Sequence, residues 1–307
     1  MRSKNGRGQM EPLKGLDLVL VGPASRKLGR GLKEHGLNVA ELEFRIFPDG
    51  ESYLRIPVDV EGLNIAILQS TYPPQDKHLI ELFLALSTAK ELGAEKIIAA
   101  VPYLAYARQD SMFKPGESVS LKTIIRLIED CGASAFITFN IHKADRMNWF
   151  RIPSLNLSAA KAIADHLAGF ELLKPVILAP DEGAVHLAEE TSSILKAEYS
   201  YMEKRRDKDT GSVETFYREL NVSGRDVVII DDIISSGSTI ANVAEIASKQ
   251  GARRILAACI HPLLAEGALD RMRRAGVSMV LGTDCVEGVH DEVSVAPLLV
   301  EALRIII

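Results

Sequence analysis

The chain alternates between short, unbroken apolar runs and longer segments in which apolar and polar residues mix with helical spacing. The apolar runs are rich in β-branched residues and do not alternate with polar ones, as is typical of strands covered on both faces. The longer segments end at glycines such as Gly36 and Gly93, as helices often do. The pattern predicts an α/β fold with mainly parallel sheets. The predicted strands are LDLVLVG (16–22), NIAILQS (64–70), KIIAAVPY (96–103), AFITFN (135–140), PVILAP (175–180), DVVIID (226–231) and RILAACI (254–260).

One part of the chain repeats another. The stretch GAEKIIAA, which begins at Gly93, resembles GARRILAA, which begins at Gly251, and the preceding strands are NIAIL and DVVII. Any two strand–helix–strand units share some of this pattern, but the closeness of these stretches favours two copies of one fold. After the matching strand the second copy continues as DDIISSGST, whereas the first has STYPPQDK. We therefore predict a functional loop there in the second copy and none in the first.

Length and composition limit the class of protein. A chain of 307 residues that is 47% hydrophobic and 25% charged is long enough for two domains with separate cores. Its net charge of −5 argues against nucleic-acid binding by bulk electrostatics. No apolar run is long enough to cross a membrane, and the opening residues MRSKNGRGQM lack the apolar core of a signal peptide. The three cysteines have no disulfide-like or metal-like spacing, so we expect a cytoplasmic protein.

The sequence also predicts where the domains begin and end. We predict a disordered tail over residues 1–13, an N-terminal domain over 14–155 and a C-terminal domain over 156–307. The boundary falls in the stretch RIPSLNLSA (151–159). The last helix is a candidate to pack back on the N-terminal domain.

The stretch VVIIDDIISSGSTI (227–240) has the composition of a sugar-phosphate site. Ligands of parallel sheets bind at the carboxyl ends of strands, where its adjacent acids Asp231 and Asp232 are placed. Carboxylates accept hydrogen bonds from the vicinal hydroxyls of a ribose, and they also suit Mg²⁺. Small residues then open a helix, where backbone N–H groups and the helix dipole favour phosphate. These residues are Ser235, Ser236, Gly237, Ser238 and Thr239. The alternative is a serine-capped helix after an ordinary strand.

Two further stretches carry residues suited to a nucleotide. FPDGESYLRI (47–56) places an aromatic ring and two acids on a tight turn, and YARQDSMFKPGE (106–117) places a guanidinium and an amide after a strand. A guanidinium binds polyphosphate, and an amide can pair with an adenine edge. Each stretch alone also fits an ordinary surface turn or a solvated loop.

Together these motifs resemble a known family. The DDIISSGST loop is similar to the phosphoribosyl-diphosphate loop of the type I phosphoribosyltransferase fold, and the two nucleotide stretches resemble those of the ribose-phosphate pyrophosphokinases (phosphoribosyl-diphosphate synthetases). The similarity covers nearly the whole chain in order, and the spellings APDEGA and IISSGST look closer to the archaeal branch. The resemblance implies two tandem phosphoribosyltransferase-type, Rossmann-like domains. Its other matching stretches are GPAS (22–25), APDEGA (179–184), EKRRD (203–207) and SVAPLLVEAL (294–303).

The resemblance also implies an activity and its site residues. A diphosphoryl group would pass from ATP, with Mg²⁺, to the anomeric hydroxyl of ribose 5-phosphate, which yields 5-phosphoribosyl 1-diphosphate and AMP. Asp231, Asp232 and the loop 235–239 would bind ribose 5-phosphate. His142 and Asp181 would contact the metal, and Lys204 and Arg206 would be the catalytic cations, although these two alone would also fit a solvated charge run. The implied ATP-binding residues are Phe47, Asp49, Glu51, Arg108, Gln109 and Asp110.

Family resemblance further implies more than one subunit. In the family the nucleotide site lies between subunits, so Phe47, Asp49 and Glu51 would be donated across an interface. We therefore expect a homo-oligomer, at least a dimer, with ATP and ribose 5-phosphate as its small-molecule partners.

Three positions depart from the family pattern. Asn140 stands where the family usually has an aspartate two residues before the metal-contacting His142. Ser235 replaces an acid of the bacterial form, and Ala184 replaces a glycine. The missing charge at Asn140 leaves open a catalytically weak or inactive regulatory homologue. A phosphoribosyltransferase that consumes the diphosphate is a second alternative, against which the duplicated fold and the nucleotide stretches argue.

Overall fold

The computed structural model describes residues 15–206, 213–216 and 220–307, with the backbone alone at 203–206 and 213–216. The chain divides into two compact units. The first contains the described residues up to Thr138, then Asp145–Leu155 and Ala296–Ile307. The second contains Phe139–Ala144 and Asn156–Val295. The final helix thus belongs to the first unit, and the predicted tail over residues 1–13 lies outside the described residues.

Strands and helices alternate along most of the described chain. The strands are β1 (Leu18–Val21), β2 (Val39–Glu41), β3 (Glu43–Ile46), β4 (Ser52–Arg55), β5 (Asn64–Leu68), β6 (Lys96–Ala100), β7 (Ala135–Phe139), β8 (Ser154–Leu157), β9 (Val176–Ala179), β10 (Glu198–Tyr201), β11 (Glu203–Arg206), β12 (Val213–Phe216), β13 (Asp226–Ile234), β14 (Arg254–Pro262) and β15 (Val277–Gly282). The helices are α1 (Arg26–Glu34), α2 (Gln75–Glu91), α3 (Ser120–Asp130), α4 (Ala160–Leu167), α5 (Val185–Leu195), α6 (Ser238–Lys249), α7 (Ala268–Arg274) and α8 (Ala296–Ile306).

The two units repeat one topology. The first sheet has the order β2-β1-β5-β6-β7-β8, and the second has the order β10-β9-β13-β14-β15. The β1–β2, β1–β5, β5–β6 and β6–β7 pairs are parallel, as are all neighbouring pairs of the second sheet. An antiparallel hairpin follows the second strand of each unit, β3–β4 in the first and β11–β12 in the second. This order confirms the predicted α/β fold with two copies and mainly parallel sheets.

The core of the second unit fixes the position of the predicted loop. Residues 227–230 of β13 are fully buried, as the unbroken apolar run predicts. On α6 the buried side chains include Ile240, Val243, Ala244 and Ala247, whose spacing of three and four places them on one helical face. Each large buried side chain contributes roughly 1.5–3 kcal/mol. Because both flanking elements are buried against one core, the two ends of the three-residue connection between them, 235–237, are fixed in position.

The observed strands differ from the predicted ones in two respects. β13 extends to Ile234, three residues beyond the predicted end at Asp231, so Asp232 also lies inside the strand, because β13 and β14 remain paired as far as Ile234 and Pro262. The predicted strands also omit edge strands such as β2, β10 and β15, which are short or carry exposed residues and therefore lack an unbroken apolar run.

Two predictions from composition can be compared with the described residues. Cys131, Cys259 and Cys285 are free, and the last two are buried. In the part of the chain that the structure describes, no helix combines the length and the apolar character needed to cross a membrane.

Candidate active site

The carboxyl edge of the second sheet gathers several acidic side chains. β10 lies on one side of β9 and β13 on the other, so the strand order reverses between β9 and β13. Such a switch point opens a crevice for ligands in parallel α/β sheets. Asp181 follows β9, and Asp231 and Asp232 lie near the end of β13. Asp181 is close enough for its charge to act on Asp231, so the three acids share one site.

The two adjacent acids differ in how readily they ionise. Burial, and then the charges of Asp232 and Asp181, raise the pKa of Asp231 from 3.8 to about 8. Burial also opposes ionisation of Asp232, but the hydrogen bond and charge of His142 outweigh it, so the pKa of Asp232 lies below its usual value. Near neutral pH the pair therefore holds one negative charge and one proton when no ligand is bound.

The chain leaving β7 carries His142 to the same edge. Nδ1 of His142 donates a hydrogen bond to Oδ2 of Asp232 over 3.0 Å. His261, near the end of β14, is buried and donates from Nε2 to the carbonyl oxygen of Phe139 over 3.0 Å. Burial lowers the pKa of His261 to about 4, so this contact is a hydrogen bond of a neutral imidazole. His261 thereby anchors the start of the segment that presents His142.

Asn140 has a structural contact of its own. Its backbone has a φ of 39°, a left-handed conformation that Asn tolerates better than most residues. The side chain is buried, and its Oδ1 accepts a hydrogen bond of 2.8 Å from the N–H of Ala159, which precedes α4. An aspartate carboxylate could accept the same bond. The asparagine therefore keeps the contact that its acidic counterpart would make to the chain.

The loop between β13 and α6 presents backbone N–H groups. Gly237 is the N-cap residue of α6, with a φ of 72°, and has no side chain with which to cap the helix, while the N–H of Ser238 donates to Oγ of Ser236 over 3.4 Å. The hydroxyl of Ser236 donates to that of Ser238 over 3.1 Å, and the side chains of Ser236, Ser238 and Thr239 are exposed. A helix N-terminus with glycine as its N-cap residue and with small, exposed hydroxyls fits the predicted phosphate-binding loop.

Helix α7 supports this loop from one side. A Cβ atom on Gly237 would lie 3.1 Å from the carbonyl oxygen of Ala268 and 3.1 Å from Cγ of Met272. The guanidinium of Arg271 donates a hydrogen bond to the carbonyl oxygen of Ser236. Arg271 cannot be identified from the sequence, because a charged residue on a helix surface gives no signal until the position of the helix in the fold is known.

The equivalent place in the first unit is occupied by its own side chains. Gln69, Ser70 and Thr71 follow β5, and all three are buried. The N–H of Tyr103 donates to Oγ of Ser70 over 3.1 Å, and the N–H of Ala105 donates to Oγ1 of Thr71 over 2.8 Å. These bonds use hydroxyls that a ligand would otherwise contact, and the absence of a loop site in the first copy stays a prediction.

The FPDGE stretch forms the turn of the β3–β4 hairpin. The N–H of Phe47 donates to the carbonyl oxygen of Glu51 over 2.9 Å, and the N–H of Glu51 donates to Oδ1 of Asp49 over 3.2 Å. The ring of Phe47 is 38% exposed and meets Tyr53 edge-on, with ring centres 5.8 Å apart. Asp49 and Glu51 are exposed as well. The hairpin thus presents three predicted ATP-binding residues on one turn.

The other predicted ATP-binding residues lie on the loop after β6. Arg108 is exposed, and Nε2 of Gln109 donates to the carbonyl oxygen of Ser118 over 3.2 Å. Asp110 is only 3% exposed, and its carboxylate accepts a hydrogen bond of 2.9 Å from Nε of Arg146. Asp110 therefore supports this loop from within the unit, and direct binding of ATP by Asp110 stays a prediction.

Lys204 and Arg206 lie on β11 of the second hairpin. Their backbones face Thr215 and Val213 of β12 in an antiparallel pair. Their side chains lie outside the described part of the structure, so their catalytic role stays a prediction. The hairpin occupies the place in the second unit that the β3–β4 hairpin occupies in the first.

The acidic side chains of the second unit fit a magnesium site in which substrate phosphates supply the remaining ligands. Among the described residues, no group of three or more His, Cys, Asp or Glu side chains is arranged to hold a metal ion by itself. Mg²⁺ is usually held by one or two carboxylates together with phosphates and water. Asp181, Asp231 and Asp232 supply such oxygens. Burial and repulsion from the neighbouring acids raise the pKa of Asp231, and a bound cation would offset that repulsion. His142 and Asp181 stay predictions as metal contacts.

Two known domain families match successive parts of this chain. The N-terminal domain of ribose phosphate pyrophosphokinase matches residues 18–132, and the phosphoribosyl transferase domain matches residues 150–295. The fold and the site thus define a protein with two phosphoribosyltransferase-type domains.

Individual relatives give a narrower assignment. The chain is 44% identical over 263 residues to the ribose-phosphate pyrophosphokinase of Methanothermobacter thermautotrophicus, covering 86% of this chain and 91% of that protein. It is 40% identical over 289 residues to that of Methanopyrus kandleri, covering 94% and 98%. The crystal structure of phosphoribosylpyrophosphate synthetase from Mycobacterium smegmatis matches with a TM-score of 0.81 at 26% identity, covering 94% and 98%. The chain belongs to the ribose-phosphate pyrophosphokinase family, which consists of enzymes of nucleotide biosynthesis. The first two relatives are archaeal, which confirms the predicted branch.

Proposed function

We propose that this protein converts ribose 5-phosphate and ATP to 5-phosphoribosyl 1-diphosphate and AMP. One observation carries the proposal: the Asp231–Asp232 pair is separated by five residues from the start of α6, whose N-cap residue is Gly237, in a chain of this family. Acceptors for sugar hydroxyls and donors for a phosphate then lie within one short stretch. A sugar phosphate needs both kinds of group.

Each end of ribose 5-phosphate has its own partners in this proposal. The 5-phosphate binds at loop 235–239, where N–H groups and the positive end of the helix dipole favour an anion. The ribose hydroxyls donate to the carboxylates of Asp231 and Asp232. His142, which is hydrogen-bonded to Asp232, fixes the orientation of that carboxylate. The sugar is thereby held at both ends, which leaves its anomeric hydroxyl in a defined position.

The reaction then depends on positioning and on neutralisation of charge. A bond forms between the anomeric oxygen and the β-phosphorus of ATP, and the proton of that hydroxyl passes to solvent. The bond from the β-phosphorus to the α,β-bridging oxygen breaks, and AMP leaves with the bridging oxygen. Mg²⁺, held by Asp181 and His142 together with substrate phosphates, supplies neutralising positive charge when bound. Lys204 and Arg206 provide further positive charge where it develops in the transition state.

The nucleotide part of the proposal rests on residues of the first unit. Phe47 supplies an exposed ring, and Asp49 and Glu51 supply acceptors on the same turn. Arg108 and Gln109 bind the polyphosphate and the adenine, and Asp110 supports their loop. By family resemblance the hairpin residues act across a subunit interface, so we propose a cytoplasmic homo-oligomer, at least a dimer.

An assay of nucleotide products tests the proposal directly. Purified protein is incubated with ribose 5-phosphate, ATP and Mg²⁺, and AMP and ADP are separated by chromatography. We expect AMP that forms only when ribose 5-phosphate is present. Formation of ADP would instead indicate transfer of the γ-phosphoryl group and would overturn the proposed mechanism.

A regulatory homologue is the alternative that Asn140 raises. It predicts saturable ATP binding without turnover in the same assay. The hydrogen bond from the N–H of Ala159 to Asn140 gives this residue a structural role that does not require a charge, and so weakens the case for inactivity.

A further inference from the structure

The sugar-phosphate stretch itself contains no cation. Residues 227–240 include two acids and no Lys, Arg or His. A phosphate monoester bound at loop 235–239 would therefore lie close to two carboxylates, and the positive charge that offsets it must come from another element. Arg271 of α7 meets this need, because its guanidinium reaches the carbonyl oxygen of Ser236 within the loop.

The contact of Arg271 also sets the orientation of one peptide group. In a trans peptide the C=O and N–H groups point in opposite directions. With the carbonyl oxygen of Ser236 held by Arg271, the N–H of Gly237 must point away from that guanidinium. Because glycine lacks a Cβ atom, the peptide before Gly237 has little steric resistance to rotation and needs an external contact to hold it.

Other contacts place α7 against the same loop. The N–H of Ala265, just before α7, donates to the carbonyl oxygen of Ser235 over 3.0 Å. The space beside Gly237 is closed by Ala268 and Met272, each 3.1 Å from the position of a Cβ atom. Arg271 is exposed, but it extends from a helix whose backbone packs against the loop, so its Cα atom lies at a fixed position beside Ser236.

We propose that Arg271 is a positioning residue for a phosphate monoester at loop 235–239. It holds the Ser236–Gly237 peptide so that the N–H of Gly237 faces the phosphate, and its charge offsets the nearby acids. The inference rests on the proposed function, since it takes the phosphate of ribose 5-phosphate as the ligand of this loop.

The chain offers a matched control on the same helix. Arg273 is exposed and pairs with Asp270 at 3.8 Å. We expect Arg271→Gln to raise the KM for ribose 5-phosphate by about tenfold to a hundredfold, the usual effect of losing a charge-assisted hydrogen bond. The KM for ATP should change less than about twofold, and Arg273→Gln should leave both unchanged. The Arg271→Lys protein, which keeps the charge, should have a KM for ribose 5-phosphate between those of the wild type and Arg271→Gln. Equal KM values for ribose 5-phosphate in the Arg271→Gln and Arg273→Gln proteins would overturn the proposal.

A binding measurement tests the same idea without turnover. Inorganic phosphate is added to the isotope-labelled full chain, and the amide resonance of Gly237 is followed by NMR in the wild type and both glutamine variants. We expect a phosphate-dependent shift in the wild type and in Arg273→Gln, and a much smaller shift in Arg271→Gln. An undiminished shift in Arg271→Gln would overturn the positioning role. If the wild type formed no AMP, the proposed function would fail while this titration still decided the role of Arg271. Matching thermal melting curves for the two variants serve as the folding control.

Discussion

Nδ1 of His142 lies 3.0 Å from Oδ2 of Asp232, which joins two residues that are 90 positions apart in the chain. By family resemblance the sequence assigns them different roles, one at the metal and one at the ribose. The contact couples those roles, because the imidazole favours the ionised form of the carboxylate that accepts the sugar hydroxyls. A substitution at either residue should therefore alter the functional role of the other.

Replacing His142 should weaken binding of the sugar at low pH more than at high pH. His142→Gln removes the hydrogen bond that, against the effect of burial, keeps the pKa of Asp232 below its usual value. Asp232 would then take up a proton more readily, and fewer molecules would carry an ionised acceptor for the ribose. We expect kcat/KM for ribose 5-phosphate to fall about tenfold or more at neutral pH, with the acidic limb of its pH profile shifted upward.

His186 provides the control for this variant. It is exposed, and its Nδ1 lies 2.9 Å from the nearby carbonyl oxygen of Gly183. His186→Gln should leave the pH profile unchanged. The double variant of His142→Gln with Asp232→Asn should lose less than the sum of the single losses, because both remove one contact. Strictly additive losses would show that the two residues act independently.

Much of the fold could be predicted because its signals are local. Buried central strands such as β5 and β13 are unbroken apolar runs, and the paired acids beside a small-residue loop carry their chemistry within fourteen residues. The edge strand β15 lacked such a signal, since Ser278 and Met279 are exposed within it. Contacts between distant segments, such as His142 with Asp232 or Arg271 with Ser236, follow only from the assembled fold.

Asp231 should make the stability of the ligand-free protein depend on pH. Burial and the neighbouring acids raise its pKa in the folded protein from 3.8 to about 8. Between these values the folded protein binds a proton that the unfolded chain releases. Stability from this group is therefore complete at low pH and is lost as pH rises toward 8, by at most about 1.4 kcal/mol per pH unit.

Urea denaturation at pH 6, 7 and 8 measures this effect. The free energy of unfolding of the wild type should fall with pH relative to that of Asp231→Asn, which has no carboxyl to titrate. Added Mg²⁺ should flatten the difference, because a cation favours the ionised acid. Parallel pH dependences of the two proteins without Mg²⁺ would mean that Asp231 titrates at its ordinary value.

Restoring the family's usual acid at position 140 should have little effect. The Oδ1 atom of Asn140 accepts a hydrogen bond from the N–H of Ala159, and a carboxylate can do the same. We expect Asn140→Asp to change kcat/KM by less than about threefold. Asn140→Ala should destabilise the protein by about 1–3 kcal/mol, because it loses this bond and keeps the left-handed backbone. A gain in activity of tenfold or more in Asn140→Asp would support the weakened-homologue alternative.

Gly237 should tolerate no side chain, and Gly224 supplies the comparison. Both have positive φ, 72° and 69°, so alanine at either place carries similar backbone strain of about 1–2 kcal/mol. Nothing lies within 4 Å of a Cβ atom on Gly224, whereas a Cβ atom on Gly237 meets Ala268 and Met272 at 3.1 Å. Gly237→Ala should therefore lose about 1–3 kcal/mol more stability than Gly224→Ala, and should raise the KM for ribose 5-phosphate. Equal losses would mean that α7 moves away without cost.

The Asp110–Arg146 ion pair should hold the predicted ATP-binding loop in position, because the Asp110 carboxylate is buried and needs a neutralising charge. The side chain of Asp110 is 1% exposed, and that of Arg146 is 22% exposed. Arg146→Met would remove a cation that pairs with a buried carboxylate, and breaking such a buried pair costs about 3–5 kcal/mol. We expect the loop to shift, so that the KM for ATP rises while binding of inorganic phosphate to the second unit is unchanged.

A double-mutant cycle separates this charge effect from simple loss of packing. Asp110→Asn removes the charge that Arg146 neutralises, so the double variant of Arg146→Met with Asp110→Asn should be more stable than Arg146→Met alone. Urea denaturation supplies the four free energies of unfolding, and the same proteins give the KM for ATP. If Asp110 instead bound ATP directly, Asp110→Asn alone would raise that KM, and the double variant would recover stability without recovering ATP binding. The two measurements therefore distinguish a support for the loop from a contact with the nucleotide.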